Sequence, residues 1–508
     1  MFTHAPDLNR ARRTAELAAA AEKTVDVLVV GGGITGVGTA LDAASRGLSV
    51  TLIEAEDLAF GTSRWSSKLV HGGLRYLATG DFATARESAF ERHLIMTQIA
   101  PHLVRPLAQL LPFTDGVSLT QRAAGVVGMT VGDGLRWLAR TPAAVLPRPR
   151  LVSAATARQA VPGLSPDGAR WAMQSFDGQL VDDARLVVAI ARTAAAYGAR
   201  ILTRVRALRL DDGGADAEDA LTGERLRLRA RAVINATGVW AGTLDESIRV
   251  RPSRGTHLVL DAAALGHPTA ALTVPREGSI SRYIFALPQQ LGRVIVGLTD
   301  EDAPGPVPPV PEPTEPEITF LLAETNRVLA TPLGRGDVLG AFAGLRPLID
   351  TPGKSSADVS RRHLVAASEA GFLNILGGKL TTYRRMAEDA VDLAVRTRNL
   401  SAAASRTHSL PLVGAAAFPA DREARSWRFG TESERVQREA RVSDAASPVA
   451  PGIDVLRAEV EFAVRAEGAL TADDVLDRRT RIGLVAADRA AAAPAVTAIV
   501  AEVLAERS

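Results

Sequence analysis

The chain has 508 residues, of which 46% are hydrophobic and 23% charged; this composition indicates a soluble globular protein of about two to four domains and excludes a collagen, a wholly disordered chain and a membrane bundle. The 59 Lys and Arg residues against 57 Asp and Glu residues leave a formal charge of only +2, which gives no general attraction to nucleic acid. Cysteine is absent, so disulfides, thiolate metal sites and cysteine nucleophiles are excluded. Any redox centre has to be a bound organic cofactor or a metal held by nitrogen and oxygen, and we predict no metal site.

The first 23 residues are predicted to form an N-terminal extension. They carry Arg10, Arg12 and Arg13 before a short run of alanines, and they lack the apolar core and processing site of a secretory signal. No window of the sequence reaches the roughly 18 to 20 uninterrupted apolar residues of a membrane span. We therefore expect a cytoplasmic protein whose contact with a membrane would be peripheral.

Two apolar strands and a helix follow this extension. Residues 25 to 30 indicate a buried strand, residues 34 to 46 a helix, and residues 48 to 53 a second strand that ends at Glu54. Because parallel strands need a crossover connection, these segments predict a βαβ unit at the start of a doubly wound sheet.

Three glycines lie at the junction of that first strand and helix. Gly31, Gly33 and Gly36 form the pattern GxGxxG, in which glycines allow a tight turn and a close approach of the backbone to a pyrophosphate. The helix dipole and the free N–H groups at the helix start then stabilise the anion. Glu54 ends the second strand, where a carboxylate can accept hydrogen bonds from ribose hydroxyls. Together these residues predict one dinucleotide-binding site.

The middle of the chain mixes helical and strand-like segments. Residues 82 to 105 have helical spacing, and residues 180 to 197 predict a long helix that begins near Asp182 and Asp183. Residues 116 to 150 are rich in Gly, Pro and Arg and predict a less regular insertion. Short alternating or apolar runs predict strands of two antiparallel sheets and one further buried strand, at residues 201 to 210, 226 to 230, 232 to 235, 258 to 260, 283 to 287 and 294 to 298.

The last third of the chain is predominantly helical in pattern. Residues 304 to 316 are rich in proline and predict a stiff loop that leads into a helix from residue 317. The pattern becomes helical again after Lys379, and the Ala, Arg and Glu content from residue 402 onward predicts a separate helical domain.

Several motifs then match one known family. They are GTSRWSSKLVHGGLRY at residues 61 to 76, INATGVW at 234 to 240, RGTHLVL at 254 to 260, AGLRPL at 343 to 348, GGKLTTYRRMAEDAVD at 377 to 392 and DDVLDRRTRIGL at 473 to 484. With these motifs the chain resembles, over most of its length, the FAD-dependent glycerol-3-phosphate dehydrogenases, a branch of the glycine-oxidase-like flavoproteins. One element departs from the family pattern, because Gly297 is followed by Leu298 and Thr299 where the family often has two threonines.

The resemblance implies an α/β fold in three parts. These are a Rossmann-like FAD-binding domain, an antiparallel-sheet substrate domain and an all-α C-terminal domain. We expect the FAD-binding domain in residues 24–100, 151–245 and 335–395. The substrate or cap domain is then expected in residues 101–150 and 246–334, and the helical domain in residues 396–508.

The resemblance also implies a reaction, the oxidation of sn-glycerol 3-phosphate to dihydroxyacetone phosphate with hydride transfer from C2 to FAD. Arg75 and Arg346 match the substrate-facing arginines of the family, and a guanidinium suits a phosphate. Tyr76 is expected to offer a hydroxyl beside them. A base has to take the alcohol proton, and His257 is preferred over His71, which can hydrogen-bond the flavin instead. A structural role is the alternative for each histidine.

Further residues are expected along the cofactor. Gly377, Gly378 and Lys379 precede a helix, where backbone N–H groups and an ammonium can stabilise negative charge on the flavin, and Lys379 can also face the substrate. The other expected FAD contacts are Ser66, Ser67, Lys68, the backbone of Val205, Ala236, Thr237, Gly238 and Thr381.

A single nucleotide fingerprint leaves the exit of the electrons open between a quinone and oxygen. The resemblance favours a respiratory quinone, and hence visits to the inner face of a membrane. The basic amphipathic residues 135 to 150 could contact anionic lipid there, and an ordinary domain face is the alternative interpretation of that stretch.

Three rival functions remain at this point. A glycerol-3-phosphate oxidase would release hydrogen peroxide, an amine or amino-acid oxidase would not depend on a substrate phosphate, and a flavin-binding module would have no activity. The sequence lacks the basic, aromatic-laced face of a nucleic-acid-binding protein, so no nucleic-acid partner is expected. The sequence is compatible with an oligomer and does not specify one.

Overall fold

The computed structural model describes residues 3–73, 76–77, 80–167, 170–349, 363–417 and 426–506. Its α-helices are α1 (Arg10–Glu22), α2 (Ile34–Ser45), α3 (Phe82–Leu94), α4 (Leu119–Leu138), α5 (Ala154–Ala160), α6 (Asp183–Ala196), α7 (Ala241–Leu244), α8 (Glu315–Asn326), α9 (Tyr383–Arg398), α10 (Ser433–Arg438), α11 (Arg457–Arg465), α12 (Ala472–Arg478) and α13 (Ala486–Ala505). Within these described ranges, no helix is long and apolar enough to cross a bilayer.

The β-strands form two sheets. They are β1 (Val25–Val30), β2 (Val50–Glu54), β3 (Leu69–Val70), β4 (Val104–Pro112), β5 (Arg150–Ser153), β6 (Trp171–Leu180), β7 (Arg200–Thr203), β8 (Val205–Asp211), β9 (Gly214–Asp219), β10 (Arg225–Asn235), β11 (Val250–Asp261), β12 (Ala271–Pro275), β13 (Tyr283–Pro288), β14 (Arg293–Gly297), β15 (Glu301–Asp302), β16 (Val338–Ile349), β17 (Leu364–Ala367) and β18 (Leu373–Leu376).

The first sheet is the predicted doubly wound sheet. Its strand order is β17-β18-β10-β1-β2-β7, and every neighbouring pair except β17 with β18 is parallel. The chain continues from β1 to one neighbour, β2, and reaches the other neighbour, β10, only much later, so the winding reverses at β1. Helix α2 packs between α6 and α9 on a core in which Val27, Val29 and Leu52 are fully buried. Ligands bind beyond the carboxyl ends of the strands at such a reversal.

The second sheet confirms the predicted antiparallel domain with one exception. Its order is β15-β11-β14-β13-β12-β4-β6-β3, with β16 on β11 and β5 on β6, and only the pair β12 with β4 is parallel among the described strands. This sheet takes in β5, β6 and β16, which the expected boundaries place in the FAD-binding domain. The chain therefore crosses between the two sheets more often than its motifs indicate.

The prediction of an irregular insertion at residues 116 to 150 is wrong, because α4 occupies its first half. Ser118 and Gln121 close the helix start with a reciprocal capping box. Four glycines inside α4 conceal the helix in the sequence, since each glycine costs about 1 kcal/mol of helix propensity. The basic stretch predicted at residues 135 to 150 is helical only as far as Leu138. Its Arg136 does not face outward; it is buried and donates to Asp133 and to the carbonyl of Thr141.

Other predicted elements differ only at their boundaries. The helix predicted from residue 82 is α3, which continues as a π-helix over Ile95–Ile99 and a 3-10 turn over Pro101–Leu103 before β4 begins at Val104. The runs at 226 to 230 and 232 to 235 are one continuous strand, β10. The helix predicted near residue 182 is confirmed as α6, and its cap is Asp182, whose side chain accepts hydrogen bonds from the backbone N–H groups of Ala184 and Arg185.

The C-terminal helices confirm the predicted helical domain, and they attach to the first sheet through buried ion pairs. Arg478 and Arg479, at the end of α12, donate to Asp57 in the loop after β2, at 2.7 and 2.9 Å. Burial alone would raise the pKa of Asp57, yet the guanidinium groups of Arg479 and Arg478 hold that pKa below its usual value. Because removing one partner of such a buried pair costs about 3 to 5 kcal/mol, the loop and the helical domain support each other.

Candidate active site

A large cavity of about 1090 Å³ lies beyond the carboxyl ends of the first sheet and extends along the second. Its volume exceeds the roughly 300 to 1,000 Å³ of ordinary ligand pockets. It is lined by most of the predicted site residues, namely Gly31, Gly33, Glu54, Ser66, Ser67, His71, Tyr76, Val205, Ala236, Thr237, Gly238, His257, Arg346, Gly377, Gly378, Lys379 and Thr381. Arg75 lies outside the described residues.

The glycine turn shapes one end of the cavity. Gly31 has a φ of 112°, and a Cβ on it would lie 2.6 Å from the carbonyl oxygen of Ala236. Gly36 does not line the cavity; it lies against Gly31, where any Cβ would overlap the Gly31 carbonyl. The N–H of Ile34, at the start of α2, donates to Ser63 Oγ at 2.9 Å. The glycines therefore let α2 approach β1 closely and aim its N-terminus at the cavity.

Glu54 lies beside this turn as predicted. Its carboxylate accepts from the N–H groups of Gly32 at 2.6 Å and Glu56 at 2.8 Å, and burial raises its pKa. A positive helix terminus, a glycine cradle without side chains and a carboxylate at the end of the next strand are the donor set of a dinucleotide site. The residues present therefore fit the adenosine and pyrophosphate parts of FAD.

The turn at residues 66–68 corrects the prediction that Lys68 contacts FAD. The ammonium of Lys68 does not reach the cavity, because it donates to both carboxylate oxygens of Asp183, at 2.6 and 2.7 Å, and to the carbonyl of Arg64. Ser66 also donates to Asp183, through its N–H at 3.0 Å and its hydroxyl at 2.7 Å. Lys68 thus fixes the turn that presents Ser66 and Ser67 to the cavity.

Tyr76 and Lys379 meet at a second wall of the cavity. The Lys379 ammonium lies 4.0 Å from the centre of the Tyr76 ring, a cation–π distance, and donates to Ser88 Oγ at 2.6 Å. His71, nearby in sequence, accepts from the N–H of Gly73 through Nδ1 at 3.2 Å. This wall carries a fixed positive charge close to a phenol ring.

Arg346 and His257 lie on the paired strands β16 and β11. Arg346 donates to Asp300 Oδ1 at 3.1 Å and to the carbonyl of Thr299 at 3.1 Å, so its guanidinium is held in one place. His257 is 2% exposed and stacks on Phe342 at a centroid distance of 4.8 Å. Burial, followed by the charges of Arg346 and Lys68, lowers the pKa of His257 to about 3, so the imidazole is neutral at pH 7.

The predicted glycine turn that follows β18 also lies at the cavity. Gly377 and Gly378 both have positive φ, at 70° and 81°, and a Cβ on Gly378 would collide with the sulfur of Met386. The helix α9 begins at Tyr383, and Thr382 before it makes no side-chain cap. The N-terminal end of α9 with its short preceding turn therefore approaches the cavity through backbone groups.

Sequence reasoning missed residues that hold the predicted ones in place. Asp177 accepts from the N–H of Gly72 at 3.2 Å and from Arg92 at 2.7 Å, and it lines the cavity. Asp300 orients Arg346. No local pattern marks Asp177, because its partners are distant in sequence, whereas Asp300 stands in the GLTD segment where the family pattern is recognisable.

Comparisons with known proteins bear on this cavity. Residues 26–384 match the family model described as FAD dependent oxidoreductase, and residues 405–507 match the C-terminal domain of alpha-glycerophosphate oxidase. The chain is 54% identical over 502 residues to glycerol-3-phosphate dehydrogenase 1 of Mycobacterium tuberculosis, covering 96% of this chain and 97% of that relative. It is 34% identical over 508 residues to glycerol-3-phosphate dehydrogenase of a Synechocystis species, covering 91% and 90%. The X-ray structure of the glycerol-3-phosphate dehydrogenase from Bacillus halodurans complexed with FAD is 26% identical, with a TM-score of 0.74 and coverage of 97% of this chain and 94% of that chain.

Proposed function

We propose that this chain, which belongs to the family of FAD-dependent oxidoreductases, oxidises sn-glycerol 3-phosphate to dihydroxyacetone phosphate with FAD as its cofactor. The observation that carries the proposal is the continuity of one cavity, which joins the glycine turn at Gly31 to His257 and Arg346. FAD, when bound, supplies a two-electron acceptor for the hydrogen on C2 of the substrate. The residues of the chain supply binding, orientation and proton transfer.

The substrate phosphate is assigned to the cationic side of the cavity. Arg346 is already fixed by Asp300, so it loses little conformational freedom when it binds an anion. A guanidinium offers two parallel N–H groups to phosphate oxygens, which distinguishes a phosphoester from an uncharged alcohol. Lys379 supplies a second cation to the cavity, at the wall that it shares with Tyr76.

The alcohol proton is assigned to His257. A neutral imidazole can accept a proton, and the low pKa of His257 in the free protein ensures that it is neutral before the substrate binds. A bound phosphate dianion offsets the positive charge of Arg346 and therefore makes the imidazole a stronger base when the substrate is present. The proton is thus removed only in the loaded site.

The experiment that tests the function is anaerobic titration of the purified yellow protein. Glycerol 3-phosphate should bleach the visible flavin band, and glycerol at the same concentration should leave it unchanged. Dihydroxyacetone phosphate should form in an amount equal to the flavin reduced. A band that persists in the presence of glycerol 3-phosphate contradicts the proposal.

The electron acceptor is proposed to be a quinone that enters the apolar end of the same cavity. Part of the cavity wall is formed by residues of α4 and by other apolar side chains, and this part, the apolar branch, includes Val127, Val131, Ile280 and Phe320. Apolar walls with few polar groups suit a quinone ring and its isoprenoid tail better than a hydrophilic acceptor. An enzyme that passes its electrons to oxygen would not need an apolar branch of the cavity.

Filling this branch should separate the two halves of the reaction. Gly128 lines the cavity, and no atom lies within 4 Å of a Cβ built on it, so Gly128→Phe places a ring in the branch. We expect quinone reduction to fall by about tenfold or more, since the ring displaces apolar contact area. Stopped-flow measurement should show unchanged flavin reduction by glycerol 3-phosphate.

The control for this variant is Gly134→Phe, on the same helix. Gly134 also has open space around it but does not line the cavity. Its quinone reduction should equal that of the original protein. Equal rates for both variants, or peroxide formation in place of quinone reduction, would rule out the apolar branch as the acceptor site.

A membrane surface is proposed as the place where the quinone is met. One face of α4 exposes large apolar side chains that do not line the cavity, and these are Leu119, Trp137 and Leu138, with Trp137 69% exposed. The exposed Arg140 and Arg148 follow the helix closely. An exposed apolar helix face flanked by arginine suits the interface of a bilayer that contains anionic lipid.

Polar substitution on this face should release the protein from vesicles. We expect the double variant Trp137→Ser, Leu138→Ser to lose most of its co-sedimentation with vesicles of phosphatidylglycerol and phosphatidylcholine. Each of the two apolar side chains contributes about 1.5 to 3 kcal/mol to binding when it moves from water into the bilayer. Leu221→Ser, on the β9–β10 turn and 51% exposed in the original protein, is the control that should sediment normally. Unchanged sedimentation of the double variant would exclude this face.

A further inference from the structure

His257 borders the cavity with both of its ring nitrogens closed off. Nδ1 is buried and makes no well-formed hydrogen bond with the described residues. Nε2 lies 2.8 Å from the hydroxyl oxygen of Ser67. One ring face is covered by Phe342, and the edge at Cδ2 is so close to Gly297 that a Cβ on this glycine would collide with it. A substrate hydroxyl in the cavity therefore has no open route to either nitrogen.

Ser67 stands between the cavity and the imidazole. It lines the cavity and is only partly buried, whereas His257 behind it is almost fully buried. Its hydroxyl can donate one hydrogen bond and accept two, so it can hold Nε2 and a substrate hydroxyl at the same time. Serine was expected here as a contact of the flavin, and its observed partner is the histidine.

The position of Ser67 is fixed by the residues on either side of it. Ser66 donates to Asp183 through its N–H and its hydroxyl, and the Lys68 ammonium donates to both oxygens of the same carboxylate. Lys68 holds a φ of 58°, a conformation that costs energy for a residue with a side chain and that the buried ion pair maintains. The Ser67 hydroxyl is consequently aimed at the imidazole before any substrate binds.

We infer that Ser67 is a catalytic residue that relays the alcohol proton of the substrate to Nε2 of His257. This inference rests on the proposed function. In the step, the O2–H bond of glycerol 3-phosphate breaks and a new O–H bond forms at Ser67, while the original hydroxyl proton of Ser67 moves to Nε2. The hydrogen on C2 leaves with its electron pair to FAD, which is reduced as the alcohol becomes a ketone. Serine is regenerated, and His257 carries the proton.

The charges around the imidazole explain why a relay suits this site. Arg346 and Lys68 are the cations that act on His257, and both disfavour its protonated form in the free protein. In the neutral tautomer that carries its proton on Nδ1, Nε2 accepts from the Ser67 hydroxyl, and the phosphate dianion of the substrate then offsets the charge of Arg346. A hydroxyl between the substrate and the imidazole carries the proton to His257, so that the imidazole can stay buried and out of contact with solvent.

The test compares Ser67→Ala with Ser67→Thr, which keeps the hydroxyl. In anaerobic stopped-flow experiments we expect Ser67→Ala to reduce the rate of flavin bleaching by about 10²- to 10⁴-fold, the usual contribution of a general acid–base group. Ser67→Thr should recover most of that rate. The original protein should be slower in D₂O than in H₂O, and Ser67→Ala should lose this solvent isotope effect.

A second readout does not depend on turnover. In protein labelled with ¹⁵N-histidine, the Nε2 resonance of His257, assigned by its loss in His257→Asn, should shift in Ser67→Ala and return in Ser67→Thr. Should Ser67→Ala fail to retain FAD, Ser67→Cys, whose thiol is a weak donor of similar size, should show an intermediate rate and shift.

The outcomes separate this inference from the proposed function. If the original protein is not bleached by glycerol 3-phosphate, the proposed function fails. If the original protein is bleached, but Ser67→Ala is reduced within threefold of the same rate with the same solvent isotope effect, the relay is overturned and the function stands.

Discussion

Gly36→Val is expected to give a folded protein that contains no FAD. The Cβ of any larger residue at this position would overlap the backbone carbonyl of Gly31, and a backbone group cannot rotate away as a flexible side chain can. Helix α2 would have to move off β1, and its N–H groups would no longer point at the pyrophosphate position. The flavin released by denaturation, measured by absorbance against protein concentration, should fall from near one per chain to near zero.

The matched control is Gly134→Val, which introduces the same residue in another helix. Nothing lies within 4 Å of a Cβ on Gly134, so the substitution meets no steric conflict and changes helix propensity by less than about 1 kcal/mol, in favour of valine. This variant should keep its full flavin content and its circular dichroism spectrum. Stoichiometric FAD in Gly36→Val would show that the glycine turn does not hold the cofactor.

Arg346→Met is expected to lower kcat/KM for glycerol 3-phosphate by more than about 10²-fold. Hydrogen bonds to charged groups contribute about 1.5 to 3 kcal/mol each, and a guanidinium makes two of them to a phosphate. The loss should be specific for the phosphoester, so the ratio of kcat/KM for glycerol 3-phosphate to that for glycerol should collapse. Flavin content should stay unchanged, since Arg346 is placed at the substrate end of the cavity.

Two further variants identify the origin of the Arg346 effect. Arg254→Met removes an arginine from the strand paired with β16; it binds Glu317 and does not line the cavity, so activity should persist. Arg346→Met leaves Asp300 to repel a phosphate, and Asp300→Asn combined with it should recover a small part of the loss. Normal activity in Arg346→Met, or an equal loss in Arg254→Met, would contradict the assignment.

The parts of the fold that local patterns determine were predictable. The βαβ unit ending at Glu54 and the helix capped by Asp182 follow from apolar periodicity and from the chemistry of a helix start. The helix α4 was not predicted, although Ser118 and Gln121 have the spacing of a capping box at its start. The glycines within it lower the helix propensity of the segment, and in the sequence they therefore indicate an irregular insertion. The place of β5, β6 and β16 in the second sheet depends on pairing between distant strands, which no local pattern contains.

In the site, too, residues within local motifs were predictable, and contacts between distant parts of the chain were not. The glycine turn, Glu54 and the two strands bearing His257 and Arg346 were found from motifs, and all of these except Gly36 line one cavity. Lys68 was assigned to the cofactor because its motif lies beside the FAD path. Its partner Asp183 lies 115 positions further along the chain, and only the folded structure shows that the ammonium turns away from the cavity.

The ion pairs between Asp57 and the C-terminal helices have a consequence for synthesis of the protein. Asp57 emerges early from the ribosome, and its partners Arg478 and Arg479 follow 421 and 422 residues later. Domains usually fold in the order in which they are made, but here the loop beside the adenosine end of the cavity waits for nearly the last helix of the chain. The nascent chain is thus expected to acquire its yellow colour only after α12 has been synthesised, and a stalled chain lacking α12 should remain colourless.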